Sequence, residues 1–332
     1  MGRGIADRGR VRGFALRRAG TGRRHRYPGA RRAPRGGGGR TDVIAIVGPT
    51  ASGKSALAMR VAERVGGEIV SADSRQVYRT MDIGTAKPTA EERARVRHHL
   101  IDVADPGERY DVLRYQRDGR AALTEIRARG HVALVAGGTG LYVRALLDGL
   151  DLGSLPHDPD VRASLESEDP ATLHERLRAI DPDAASRVDP RNRRRLARYL
   201  EVATIAGGPV RRGRGASIAA LRIGLRPPRE ILIAAIERRV REMVDAGVLD
   251  ETRALVARGI DPRLPSMSAH GYVHWAAFLR REIDLETAIA LTARDVRAYS
   301  RRQMTWFRRD ATIRWFDPTV TDPLEDIVAA AA

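Results

Sequence analysis

The 332-residue chain contains no cysteine. Disulfides and thiolate metal sites are therefore excluded, and a reducing cytoplasm is the expected setting. Long apolar runs are also missing. No stretch approaches the roughly eighteen residues that a membrane span needs, so no membrane partner is expected. Acids are nearly absent from the first forty residues, which hold thirteen Arg against Asp7 alone and contain no Ser. That segment carries +12 of the net charge of +17, which leaves +5 for residues 41–332. It ends in Gly36-Gly37-Gly38-Gly39-Arg40 and is too polar to bury a core, so a disordered arm is expected over 1–40. A nucleic-acid-touching arm, a transit peptide and translation from an upstream start codon are three competing readings. The lack of Ser argues against the second. Apolar residues at 42% still supply a substantial core, in one large domain or two modest ones.

Against these absences stands Gly48-Pro49-Thr50-Ala51-Ser52-Gly53-Lys54-Ser55, which fits the phosphate-loop pattern G-x-x-x-x-G-K-[ST]. The β-branched run Val43–Val47 before it reads as a buried strand, and 55–65 after it has apolar residues at helical spacing. Strand, glycine loop and helix together turn backbone N–H groups and a helix N-terminus toward phosphate oxygens. Lys54 adds a point charge, and Ser55 offers a hydroxyl to Mg²⁺. The loop implies a diphosphate or triphosphate ligand without specifying ATP.

Further along, 67–73 reads as a short strand ending at Asp73, followed by Ser74, Arg75 and Gln76. The turn Gly84-Thr85-Ala86-Lys87-Pro88 precedes a helix over 90–97. Residues 98–102 suggest a strand, 109–129 an amphipathic helix, 131–136 a buried strand, and Gly137-Gly138-Thr139-Gly140 a second glycine turn opening a helix over 141–150. Alternation of this kind implies a parallel α/β sheet whose loops at the carboxyl ends of the strands form a site. Prolines 156, 159, 170, 182 and 190 then punctuate short helical segments without a strand, so 155–205 reads as a small all-α insertion. It closes on the basic run Arg191–Arg198. A returning strand is expected over 219–225, then helices over 230–244, 249–258 and 286–309. The organisation is thus a catalytic core over 41–154 and 206–318, the insertion between, and a tail over 319–332.

Many phosphate-loop ATPases carry an acid after a second apolar strand to hold Mg²⁺. Here the strand 131–136 runs into Gly137-Gly138-Thr139, and the nearest acid at a strand end is Asp73. Beside a bound diphosphate, such a carboxylate can hold Mg²⁺, take a proton from a nucleophile, or cap the next turn. Six motifs in order, Gly48–Ser55, Asp73–Tyr78, Gly84–Pro88, His98–Asp102, Gly137–Tyr142 and Arg301–Trp306, resemble the tRNA dimethylallyltransferase family over about 43–309. The resemblance implies a phosphate-loop NTPase-like core and transfer of a dimethylallyl group from dimethylallyl pyrophosphate to N6 of adenosine 37 of tRNA. By similarity, Asp73 is the base, Thr139 bonds between Asp73 and the donor's bridging oxygen, and Lys54, Arg239, residues 48–55 and Mg²⁺ on Ser55 hold the pyrophosphate. RNA contacts are implied at Asp73, Ser74, Arg75, Gln76 and Thr139, at Arg162, Arg194, Arg195 and Arg198 of the insertion, and at Gln303. A monomer is expected.

The chain departs from the family pattern at His270-Gly271-Tyr272-Val273-His274-Trp275, where Val273 stands in place of the usual Lys or Arg and His274 is a candidate substitute. A small-molecule or nucleoside kinase, and an RNA-binding module with a vestigial loop, are the rival readings. The first would want an acid after 131–136. Intact Lys54 and Ser55 argue against the second.

Overall fold

Val43–Val47 (β1) is buried at every position because it is paired on both edges and covered on both faces. The computed structural model describes residues 41–332 except 153–154, 210–212, 214, 262–263 and 269–270, so the basic arm lies outside the described residues. The other strands are Glu68–Ser71 (β2), His98–His99 (β3), Ala133–Gly137 (β4), Leu221–Leu225 (β5) and Arg314–Phe316 (β6). They form one sheet in the order β3-β2-β4-β1-β5-β6, parallel throughout. Side chains alternate between its two faces. Val43, Ala45 and Val47 pack with Val112–Ala128 (α3, after α1 and α2 below) and Gly140–Leu147 (α4), whereas Ile44 and Ile46 pack with Lys54–Val65 (α1). Ala90–Arg95 (α2) is capped by a Thr89–Glu92 capping box.

The insertion is all helical: Pro159–Ser167 (α5), Pro170–Ile180 (α6), Pro182–Arg187 (α7) and Arg193–Ala206 (α8). Asp158, Asp169 and Asp181 cap three of these helices with side-chain bonds to backbone N–H groups, and a proline occupies the first turn each time. The prolines therefore start helices, where the missing N–H costs nothing. Leu165, Leu173, Leu177, Leu196 and Leu200 make a separate small core. The chain then returns through β5 to Arg229–Asp245 (α9), Val248–Ala257 (α10), Tyr272–Leu279 (α11) and Leu285–Phe307 (α12). Among the described residues no helix is long and apolar enough to cross a membrane.

Besides α11 and β6, which no expectation covered, two features differ from the sequence expectation. The strand at 98–102 shrinks to two residues, because Leu100 and Asp102 take positive φ values and bend the chain away. Residues 319–332 are no tail. Leu324–Ala331 (α13) lays Leu324, Ile327 and Ala331 at helical spacing on the face of α1, with Arg60–Asp322 and Arg64–Glu325 at its rim. Truncation after Pro318 should uncover that face of α1. The expected loss is about 3 kcal/mol from two large buried side chains, read as a melting midpoint lower by roughly 6–12 °C. An unchanged midpoint would show that α13 does not contribute to stability.

Candidate active site

The phosphate loop leaves the carboxyl end of β1 and enters α1 at Lys54. The Lys54 ammonium donates to Pro49 O at 3.3 Å. Burial pushes it down to about 8, opposed by the nearby Asp73 carboxylate and helped by the positive charge of Arg239. Burial likewise lowers Arg239, and Asp73 opposes the shift. Arg239 makes no hydrogen bond or ion pair among the described residues. The α9 guanidinium is thus turned to the cleft without a carboxylate of its own, the condition of a group awaiting an anion. Ser52 Oγ is buried in the loop with no partner, and Ser55 is exposed at the head of α1. A buried hydroxyl left unpaired in this loop fits a site whose acceptor arrives with the ligand.

The second part of the site is built on the neighbouring strands. Asp73 follows β2, and its Oδ1 accepts from Arg75 N at 2.9 Å, an Asx turn that fixes the carboxylate. Thr139 follows β4 and heads α4. Its Oγ1 accepts from Ser74 N at 3.0 Å and lies 3.3 Å from Ser74 Oγ. The Thr139 N–H donates to Ala72 O, so the turn is tied to the chain just before Asp73. The glycines here are required by close packing. A Cβ at Gly138 would stand 2.0 Å from Gln303 Nε2, and one at Gly140 2.0 Å from the Trp306 ring.

Those last two residues lie on α12. Gln303 is 4% exposed. Its Oε1 accepts from Thr50 N at 2.8 Å and its Nε2 donates to Gly138 O at 3.0 Å. Tyr299, one turn earlier, has its hydroxyl against the Thr139 and Gln303 side chains. Burial first, then the Asp73 charge, raises its pKa. Tyr299 was not singled out in the sequence and Trp306 entered only as the end of the Arg301–Trp306 motif, although their spacing from Gln303 puts all three on one helical face.

A cavity of about 300 Å³ is lined by loop residues 51–55, Ile69, Gln76, Lys87 and Arg239, at the small end of ligand sites. A second, of about 590 Å³, adjoins it and shares Ala86, Lys87, Pro88 and Arg239. Asp73 and Thr139 are not among the walls of either cavity. The segment 82–88, whose last three residues are common to both cavities, is held from three sides. Gln76 Nε2 donates to Ala86 O, and Glu251 of α10 accepts from Asp82, Ile83 and Gly84 N at 2.6–3.0 Å and from the Tyr272 hydroxyl. Lys87 Nζ donates to Tyr78 O, Asp82 and Asp102. Composition signals Lys87: of 59 basic side chains only Lys54 and Lys87 are lysines. Glu251 had no comparable signal.

The IPP transferase family description matches residues 76–310, and Isopentenyl transferase matches residues 41–104. A tRNA dimethylallyltransferase of Moorella thermoacetica is 46% identical over 307 residues, covering 87% of this chain and 94% of that protein. The chain belongs to the tRNA dimethylallyltransferase family. A relative with the same name from Chloroflexus aggregans is 45% identical, covering 85% and 97% of the two chains. Among solved structures, a full-length tRNA isopentenylpyrophosphate transferase of Bacillus halodurans superposes with TM-score 0.66 at 42% identity, covering 88% of this chain and 95% of that one. A eukaryotic dimethylallyltransferase acting on tRNA gives TM-score 0.70 at 26% identity, covering 83% and 73%.

Within this tRNA dimethylallyltransferase family member, the residues expected to meet RNA fall into two groups. Ser74, Arg194 and Arg195 are partly or fully exposed, and among the described residues no side-chain partner engages the two arginines. Asp73 and Thr139 stay at the cleft, where one Asp73 oxygen is unbonded among the described residues, and the others are held by partners within the protein. Arg162 is buried, with its guanidinium on Glu166, Glu201 and Arg194 O. Glu201 is sealed from water. Burial works to raise its carboxyl, but bonds from Arg198 and His157 outweigh it and hold it at about 2. Arg162, expected to contact RNA, is a counter-charge to that carboxylate inside the insertion. Arg198 shares the role and also bonds Pro156 O. Arg75 donates to Pro265 O and Ser268 Oγ, and Gln76 to the 85–86 backbone. Gln303, also expected to meet RNA, is buried between Thr50 N and Gly138 O. His274, the candidate substitute for a missing cation, bonds Asp295 of α12 at 2.8 Å, and His270 lies outside the described residues.

Because the free Lys54 amine titrates near about 8, kcat/KM for a diphosphate ligand should fall as pH rises through that value, where the charge is lost. Lys54→Arg should flatten this limb, since guanidinium stays charged. Lys54→Ala should cost roughly 10–100-fold at pH 7, the worth of a hydrogen bond to a charged group. A flat wild-type profile between pH 7 and 9.5 would place Lys54 off the diphosphate.

Proposed function

We propose that the cleft transfers a dimethylallyl group from dimethylallyl pyrophosphate to N6 of adenosine 37 of tRNA. The observation that carries the reading is the meeting of two halves. One is a phosphate loop with Lys54 and an unpaired Arg239. The other is the Asp73–Thr139 pair, whose carboxylate charge reaches both cations. As the allylic C–O bond breaks, its electron pair leaves on the pyrophosphate, and loop N–H groups, Lys54 and Arg239 take up that charge. The N6 lone pair forms the new C–N bond, and Asp73 accepts the proton that N6 sheds. One Asp73 oxygen is fixed by Arg75 N. The other makes no hydrogen bond among the described residues and is free for the proton. Thr139, anchored through Ser74, orders the space between base and leaving group. Adenosine must leave the anticodon stack to enter. Exposed Arg194 and Arg195 would hold the RNA backbone.

The residues present suit Mg²⁺ only together with the ligand. Ser55 offers an open hydroxyl, and among the described residues no group of three or more acidic or histidine side chains could hold the ion alone. When bound it would neutralise diphosphate charge.

Asp73→Ala should slow transfer by about 10²–10⁴-fold while tRNA affinity stays within about twofold, since phosphate contacts dominate binding. Thr139→Ala should lower turnover more than donor affinity. Both are read by mass analysis of the nucleosides of treated tRNA. Tight ATP binding with phosphate release, and no uptake of the prenyl group, would instead favour a kinase. A variant at position 73 that keeps more than a tenth of wild-type turnover would remove Asp73 as the base.

A further inference from the structure

The two halves of the site are carried by different strands, and the β1–β4 register that sets their loops side by side ends at the Val47–Gly137 rung, before Thr50 and Thr139. Among the described residues one side chain bonds both loops. Gln303 accepts from Thr50 N in the phosphate loop and donates to Gly138 O in the turn before Thr139, both bonds being buried. Chemistry settles the orientation of the amide, because the backbone N–H must meet oxygen and the backbone carbonyl must meet nitrogen. The contact is tight, since any Cβ at Gly138 would collide with the amide.

We propose that Gln303 is a positioning residue of the transfer reaction, setting the phosphate loop in register with the Thr139 turn so that leaving group and base face the same reacting carbon. This rests on the reading that the loop holds the donor and the turn addresses the acceptor. Displacement of one half by about 1 Å is enough to cost roughly 100-fold in rate. The effect should appear in the chemical step and not in RNA affinity, because the amide is buried.

The test compares wild type, Gln303→Ala and Gln303→Glu in single turnover with saturating dimethylallyl pyrophosphate and unmodified tRNA, alongside tRNA binding and melting midpoints. Gln303→Ala should lower the saturated rate about 10–100-fold, with the tRNA Kd within about twofold. Gln303→Glu supplies a readout that loss of packing does not move. Its ionised form keeps the acceptor for Thr50 N but sets a carboxylate against Gly138 O. Its protonated form matches glutamine in shape and in hydrogen bonds, and burial favours that form. The ratio of the Gln303→Glu rate to the wild-type rate should therefore rise as pH falls from 8 to 6. A tRNA Kd weakened tenfold or more with an unchanged saturated rate would make Gln303 an RNA contact and overturn the proposal. A pH-independent Gln303→Glu ratio would overturn it even if Gln303→Ala does not fold. A wild type that transfers no prenyl group sinks the functional reading and the bridge together, whereas an active wild type with an equally active Gln303→Ala sinks the bridge alone.

Discussion

Val47 pairs with Gly137 at the last rung of the β1–β4 ladder, and Ser71 pairs with Ala136 on the other side of β4. This register brings three loops out of the sheet side by side: the phosphate loop, the Gly-Gly-Thr-Gly turn and the Asp73 segment. A slip of one residue would send the side chains of β4 to the opposite face and separate Thr139 from Ser74. The chemistry of the cleft depends on that alignment before it depends on any single side chain. The helices then refine it. α9 brings Arg239, α10 holds the 82–84 backbone through Glu251, and α12 lays Tyr299, Gln303 and Trp306 across the turn.

Much of this was legible in the sequence, for a local reason. A buried parallel strand is a β-branched apolar run, a phosphate loop has fixed glycine spacing, and prolines punctuate short helices. Val43–Val47, Lys54, Asp73 and Thr139 all declare themselves through neighbours a few residues away. Contacts between distant segments do not. Gln303 meets Thr50 across 253 positions, and a motif holding Gln303 says only that the residue matters. The basic segment of the insertion was legible only in part for a related reason. A run of arginines shows where charge is concentrated, but a carboxylate on another turn or helix decides which guanidinium turns inward. Glu201 takes Arg162 and Arg198 and leaves Arg194 and Arg195 outside. Likewise, β6 is a three-residue edge strand beginning at an exposed Arg, too short to show a period, and α13 becomes visible as structure only once the face of α1 is known to need cover.

The buried charges share one design. Glu68 sits at the amino end of β2, away from the cleft, and gathers Arg129, His99 and His131. The Arg129 bonds, with burial opposing, hold its carboxyl down to about 2. Its folded-state pKa is depressed, so this group stabilises the fold above its ordinary value near 4.5 and loses that contribution as pH falls toward 2. The Glu68 cluster ties β2, β3 and the approach to β4 at one end of the sheet, while the cleft occupies the other. Glu201 does the same for the insertion. In both, arginine answers a carboxylate with several donors in one plane.

Lysine has a different geometry. The Lys87 ammonium points its three N–H donors at three separate oxygens, those of Tyr78, Asp82 and Asp102, which a planar guanidinium does not match. With that amine sealed at 1% side-chain exposure, the half-buried Lys54 is the chain's one other lysine, and its lowered pKa leaves a useful share unprotonated near neutrality. The enzyme's side-chain amine reactivity is thereby concentrated at the phosphate loop. A diphosphate resting there would both cover the amine and restore its proton, so an amine-selective label would report, residue by residue, whether the loop is occupied.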